Sequence, residues 1–151
     1  VGIVLTAHHA SSNSSARSDQ RPSTSRRTLG SLGEQAAAEH LERLGYSVIA
    51  RNVRTRHGEI DLIAFGENAL VFVEVKSRAS GVSSTAGPVP QEPLAGLRAR
   101  QRARVRRLAS AWLADAARER PHAETIRFDA IGVVFDRSYR LLCLEHIESA
   151  W

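Results

Sequence analysis

The chain is predicted to be an α/β protein with a mixed central β-sheet flanked by helices, in the order α-β-β-β-α-β-β. Three observations predict it. Residues 58–78 place apolar side chains at a spacing of two on either side of Gly66-Glu67-Asn68, a turn-forming triplet. Residues 29–44 and 94–118 repeat apolar residues at helical spacing. Residues 125–135 and 139–147 form a second pair of apolar strand runs, split by Asp136-Arg137-Ser138. Strands interleaved with amphipathic helices bury both sets of apolar faces when helices cover a sheet.

The elements follow in order. Residues 8 to about 28 are rich in Ser, Arg, Asn and Thr and nearly devoid of apolar side chains, so 1–28 is expected to be a disordered tail. Its Arg17, Arg21, Arg26 and Arg27 either touch phosphates or are simply solvated. The first helix is expected from Leu29 to Leu44, with Gly45 as its stop. Ala37, Ala38, Leu41 and Leu44 form its inward face, and Glu34 falls on that face near the N-terminal end. Glu34 is either a carboxylate favoured by the helix dipole or a contributor to a cation site. The first strand is expected over Tyr46–Val53. Arg51, Arg54, Arg56 and His57 then gather before the hairpin, as a solvated loop or as a basic cluster that meets a phosphate. No second histidine lies at ligand spacing from His57, so a zinc site is not expected.

The hairpin carries three charges in apolar strands, Asp61, Glu74 and Lys76. Such charges are costly unless compensated. A turn centred on Glu67-Asn68 pairs Phe65 with Leu70, Ile63 with Phe72, and Asp61 with Glu74. Opposed carboxylates repel, and a divalent cation would remove the conflict. Hard oxygen donors suit magnesium or manganese. Lys76 shares the face of Glu74. It is also the single Lys beside 20 Arg. A compact ammonium differs from a planar, always-charged guanidinium, and a point charge is useful beside a cation and its water. A one-residue change of turn would put the carboxylates on opposite faces.

From Ala79 to about Leu94 the chain is rich in Ser, Gly and Pro, and a mobile loop is expected there. The second helix is expected from Leu94 to Arg118, with Leu97, Val105, Leu108, Trp112 and Leu113 on its apolar face. Gln101 shares that face, as an edge residue or pointing into the site. Arg98, Arg100, Arg102, Arg104, Arg106 and Arg107 flank the stripe with no acid among them, as a phosphate track or a solvated face. No aromatic residues are interleaved, so recognition would be directed at the backbone of a nucleic acid. Asp129, inside an apolar strand, is expected to pair with Arg127 or another arginine of the sheet, or else to support the site.

With 151 residues the chain has room for one sizeable core. Its net charge of +5 and pI near 10.6 favour a polyanionic partner. The lone Cys143 excludes an intramolecular disulfide and is expected to be a buried structural thiol in a reducing, cytoplasmic setting. There is no apolar run long enough for a membrane span, and no membrane partner is expected.

The local wording carries a resemblance. Gly33-Glu34 followed by Ala37, G-E-I-D-L-I-A at Gly58–Ala64, and F-V-E-V-K-S-R at Phe72–Arg78 are similar to the YraN-like family of predicted endonucleases, within the PD-(D/E)xK superfamily. The similarity covers about residues 30–151. It implies a restriction-endonuclease-like core over 29–151, with the second helix crossing to a strand added beside the first three. It further implies metal-dependent hydrolysis of nucleic-acid phosphodiesters, with DNA the expected substrate. Asp61 and Glu74 would hold one or two Mg2+ or Mn2+ ions, with the Val75 carbonyl as a further ligand and Glu34 completing the shell directly or through water. Lys76 would act on the water or the transition-state charge. Gln101 would help position either, although the family commonly has a basic residue there. The arginines, including Arg54 and Arg56, would hold the backbone. Two other readings stand beside this one. The first is a non-catalytic nucleic-acid-binding or scaffold protein. The second is a structural ion-pair network of Asp61, Glu59, Lys76 and arginines. Oligomeric state is open.

Overall fold

The computed structural model describes residues 22–80, 94 and 99–150, with side chains from residue 26 in the first helix and from residue 101 in the second. The elements are α1 (Pro22–Arg43), β1 (Ser47–Thr55), β2 (Gly58–Gly66), β3 (Ala69–Ala79), α2 (Ala99–Leu113), β4 (Thr125–Phe135) and β5 (Leu141–Ile147). This is the expected order. The strands form one five-stranded sheet in the order β1-β2-β3-β4-β5. The β3–β4 pair is parallel and the other three pairs are antiparallel. A parallel neighbour needs a long crossover, and α2 is the helix in that connection.

Successive residues of a strand point to opposite faces, and β3 shows it. Val71 and Val73 pack with Ala37, Ala38 and Leu41 of α1, while Leu70 and Phe72 pack with Val105, Leu108 and Trp112 of α2. One helix therefore covers each face of the sheet.

Several expected boundaries shift, for physical reasons. α1 begins at Pro22, so residues 22–28, expected in the disordered tail, continue the helix. Proline suits a first helical position because its missing N–H would be unpaired there in any case. Residues 1–21, including Arg17 and Arg21, lie outside the described residues, as does most of the expected mobile loop (81–93). α2 stops at Leu113 instead of Arg118. The Asp115 carboxylate accepts the Ala117 N–H at 3.2 Å and the Arg118 Nε–H at 2.8 Å, a local alternative to helix. Arg120 Nη1 caps the Leu113 carbonyl at 2.8 Å. Tyr139, expected in the last strand, has φ of 61° and belongs to the turn that the Asp136 carboxylate organises through the N–H groups of Ser138 and Arg140.

The end of α1 corrects one core assignment. Gly45 takes φ of 91°. Its N–H donates to Glu42 O, and the Tyr46 N–H reaches back to Leu41 O at 3.0 Å, the pattern of a Schellman stop. Tyr46 is thereby folded onto Leu41 in the core, and Leu44, expected to face inward, is 50% exposed.

The hairpin turn has the expected register as far as Leu62↔Val73, but the expected pairing of Asp61 with Glu74 is not made, because the ladder ends one residue before it. Glu67 and Asn68 have φ of 52° and 58°, the two positive values of a type I′ turn. Phe65 pairs with Leu70 and Ile63 with Phe72. Among the described residues, no helix is long and apolar enough to cross a membrane.

Candidate functional site

β2 and β3 separate at the end of the hairpin away from the turn. Their ladder runs from Gly66↔Ala69 to Leu62↔Val73. Beyond it, β2 stays with β1 as far as Thr55↔Gly58, and β3 stays with β4 as far as Ala79↔Phe135. A fork opens between the two strands. Side-chain alternation breaks at the same place. Ile60 packs on the α2 side, whereas Leu62 packs on the α1 side. Residues two apart in a regular strand share a face, so β2 turns over at Asp61. Asn52, which lies between the pairs Arg51↔Leu62 and Val53↔Ile60, has φ of 50°. Asparagine tolerates this left-handed backbone, and it marks the matching kink in β1.

Asp61 sits in the fork. Its Oδ2 accepts the Val75 N–H at 2.7 Å, a side-chain bond beyond the last pair of the ladder. Burial, then the charge of Glu74, pushes the Asp61 carboxyl up to about 7; the Val75 N–H opposes the rise, Glu34 adds to it, and Lys76 opposes it. Glu74 is buried on the α2 face of β3. Its Oε1 accepts from Lys76 Nζ at 2.5 Å and lies 3.7 Å from Arg104 Nη1. The Lys76 side chain is 36% exposed, against 5% for Glu74, so the ammonium stands at the mouth of the fork.

The packing of α1 brings Glu34 near enough for its charge to act on Asp61. A Cβ at Gly33 would lie 1.7 Å from Ser77 Oγ, so only glycine lets the helix approach β3 this closely. Among the described residues, no three carboxylate, imidazole or thiol groups converge on one point as a ready-made metal cage. Of the expected acidic residues, Glu74 acts on the Asp61 carboxyl more strongly than Glu34 does. Gln101 is half-buried on α2, one turn before Val105.

The arginines do not form one track. Arg104 turns to Glu74, while Arg106 lies over the Phe128 ring at 5.7 Å on the other flank of α2. Residues three or four apart share a helix flank, so Arg104 groups with Arg107, and Arg102 with Arg106. Arg98 and the Arg100 side chain lie outside what is described. Arg54 and Arg56 are exposed beside the β1–β2 turn, as expected. Arg51 is not with them: it donates to Gln35 Oε1 at 2.8 Å and approaches Glu42 at 3.6 Å on α1.

A second polar cluster lies on the α1 face. Asp129 is fully buried. It accepts from Arg127 Nε at 2.9 Å and Nη2 at 2.8 Å, from His146 Nε2 at 2.9 Å and from the Ser149 N–H at 3.0 Å. Burial alone would raise its pKa, but the bonds from His146, Arg127 and Ser149 outweigh that and lower it. His146 Nδ1 meets His40 Nε2 of α1 at 3.1 Å. Arg127 also lies over the Tyr46 ring at 5.2 Å, and the Tyr46 hydroxyl donates to Glu67 at 3.2 Å. The expected Arg127–Asp129 pair is present. The histidines and Tyr46 carry no local sequence signal for it. Cys143, expected buried, is half-buried on β5.

The comparisons cover this same region. The model of uncharacterised protein family UPF0102 matches residues 33–133, from the glycine of α1 past the fork and α2 into β4. A UPF0102 protein of Symbiobacterium thermophilum is 48% identical over 117 residues, which is 78% of this chain and 91% of the relative. One from Parafrankia sp. is 46% identical over 110 residues, covering 72% and 84%. Another, from Pelotomaculum thermopropionicum, is 39% identical over 126 residues, covering 83% and 97%. The chain belongs to family UPF0102, the YraN-like family that its Gly58–Ala64 and Phe72–Arg78 segments resemble.

Proposed function

We propose that this protein is a metal-dependent nuclease that hydrolyses nucleic-acid phosphodiesters, DNA being the expected substrate, on a restriction-endonuclease-like core. The observation that carries this reading is the Asp61 carboxylate, buried in the strand fork beside Glu74 with its pKa pushed up to about 7. A group held at such a cost in a cleft is a functional candidate, and a divalent cation is the simplest partner for the pair.

The donors fit a hard cation. Asp61, Glu74 and the Val75 carbonyl would hold Mg2+ or Mn2+, with water and phosphate oxygens filling the rest, as magnesium accepts. Such a cation supplies Lewis acidity and charge neutralisation at a phosphodiester. The chain's own residues do the remainder. Lys76, at the mouth of the fork, donates to phosphate oxygens or to the attacking water and stabilises charge in the transition state. Glu34 adds negative charge that favours cation entry. Arg104 and Arg107 line the approach for a backbone phosphate, and Gln101 supports the position of Lys76 or the water.

The test is incubation with duplex, single-stranded, flapped and branched DNA, and with RNA, in Mg2+ or Mn2+. Cleavage is expected with metal only, falling about 10²-fold or more in Asp61→Asn and in Lys76→Ala. Cleavage that persists unchanged in both variants would sink the assignment.

One observation favours a second reading. Lys76 and Arg104 already place two cations on Glu74, as a non-catalytic nucleic-acid-binding or scaffold protein could do without metal. Salt-sensitive binding with no cleavage of any substrate by the wild-type protein would select it.

A further inference from the structure

The flank of α2 that carries Arg104 and Arg107 continues through Ala111 to a cavity of about 370 Å³. Arg54, Thr55 and Arg56 of β1 and the β1–β2 turn line one side, and Ala111, Trp112, Asp115 and Arg118 the other. Three arginines and one aspartate are among the lining residues, so the wall is net cationic. Asp115 is already engaged by Arg118 Nε at 2.8 Å, and His57 Nε2 accepts from Arg56 Nε at 3.0 Å.

Trp112 supplies the second observation. Its ring packs edge-on against Phe72, with centroids 5.6 Å apart, and the residue is 4% exposed. Its indole Nε1–H is buried, with no acceptor among the described residues, so it lies behind the cavity wall and does not open into the cavity. Trp112 also lines a second cavity, of about 580 Å³, beside Ile49, Arg118 and Arg120. It is thus a wall common to two spaces edged by arginine.

We infer that the cavity between the β1–β2 turn and the end of α2 is a phosphate-binding pocket, bounded by Arg54, Arg56, Arg118 and Trp112, for a phosphate of a nucleic-acid strand that passes the fork. The choice of a strand as occupant rests on the proposed function; the affinity for phosphate does not. Trp112 lies eight residues, about 12 Å along the helix axis, beyond Arg104. Along a duplex axis that is about three to four steps of one strand at about 3.4 Å each. The pocket therefore reads the position of the strand and leaves the reacting bond to the fork. Guanidinium forks suit phosphate oxygens geometrically.

The test uses the full-length Asp61→Asn protein, labelled with 15N at indole nitrogen. Inorganic phosphate and a single-stranded oligonucleotide are titrated separately, with Trp151 as the second indole signal. The Trp112 cross-peak is expected to move saturably with the oligonucleotide. Arg54→Ala combined with Arg118→Ala is expected to weaken oligonucleotide binding about tenfold, and Arg102→Ala with Arg106→Ala, on the opposite flank, less than threefold. A Trp112 signal unmoved by either probe overturns the pocket, as does equal weakening by the two double variants. A response to phosphate but not to the oligonucleotide keeps the pocket and overturns the strand as its occupant. Wild-type cleavage with a silent Trp112 removes the pocket and leaves the nuclease; a moving Trp112 with no wild-type cleavage does the reverse.

Discussion

Asp61 and Asp129 are both aspartates set into apolar strands of one sheet, and burial has opposite outcomes for them. Asp129 accepts bonds from Arg127, His146 and the Ser149 N–H, and its pKa falls. Asp61 accepts one backbone N–H, faces the charges of Glu74 and Glu34, and its pKa rises to about 7. The two clusters lie on different elements. The Asp129 network ties α1, β4 and the turn after β5 together, whereas Asp61 stands where two strands have parted. A buried carboxylate supplied with its own donors is a rivet. One left short of donors among like charges is what the proposed cation site would relieve. The comparison therefore predicts that stability and function separate between them.

The largest effect should come from Asp129→Ala. It leaves Arg127 and His146 without their buried acceptor, a loss of about 3–5 kcal/mol, measurable by urea unfolding. Asp61→Asn removes a repelling charge and should leave stability at neutral pH unchanged or increased. A mild Asp129→Ala variant together with a severely destabilised Asp61→Asn variant would break the comparison.

The pH dependence comes next. The folded pKa of Asp61 is raised from 3.8 to about 7, so between those values the native state holds a proton that the unfolded chain has lost. Its contribution to stability is full below about pH 4 and is lost as pH rises to about 7, by at most about 1.4 kcal/mol per unit. Asp129 acts in the other direction. Its stabilisation is present above the unfolded carboxylate pKa and is lost as pH falls through its lowered value. Unfolding followed from pH 4 to 8 should show a decline that Asp61→Asn flattens; an unchanged slope in that variant would contradict the assignment.

The smallest effect is Arg104→Ala. Its side chain is 47% exposed and its Nη1 lies 3.7 Å from Glu74, so stability should change by less than about 1 kcal/mol. Nucleic-acid affinity should nevertheless fall, and its salt dependence should become shallower, as read from binding isotherms at several ionic strengths.

Much of this contrast is legible in the sequence where it depends on local periodicity. The two-residue turn at Glu67-Asn68 fixes which residues of β2 and β3 meet, and the period of two puts Lys76 beside Glu74 and Arg127 beside Asp129. Legibility ends where the period breaks. The kink at Asn52 and Asp61 moves Ile60 to the other face from Leu62, which simple alternation puts together. The His40–His146 contact spans 106 positions and depends on α1 packing across the sheet. Arg104 and Arg106 look equivalent in a run of arginines, and only the docking of α2 sends one to Glu74 and the other to Phe128. Leu44 fits the helical stripe, yet the Schellman stop at Gly45 gives its place to Tyr46.

The central claim is that the Asp61–Glu74 pair is a divalent-cation site, and direct titration of Mn2+ tests it most simply. Paramagnetic broadening of backbone amide signals at pH 8 is predicted to be centred on residues 61 and 74–76, to weaken at pH 5 as Asp61 takes up its proton, and to vanish in Asp61→Asn. Broadening that is absent at pH 8, or that survives unchanged in Asp61→Asn, would contradict it.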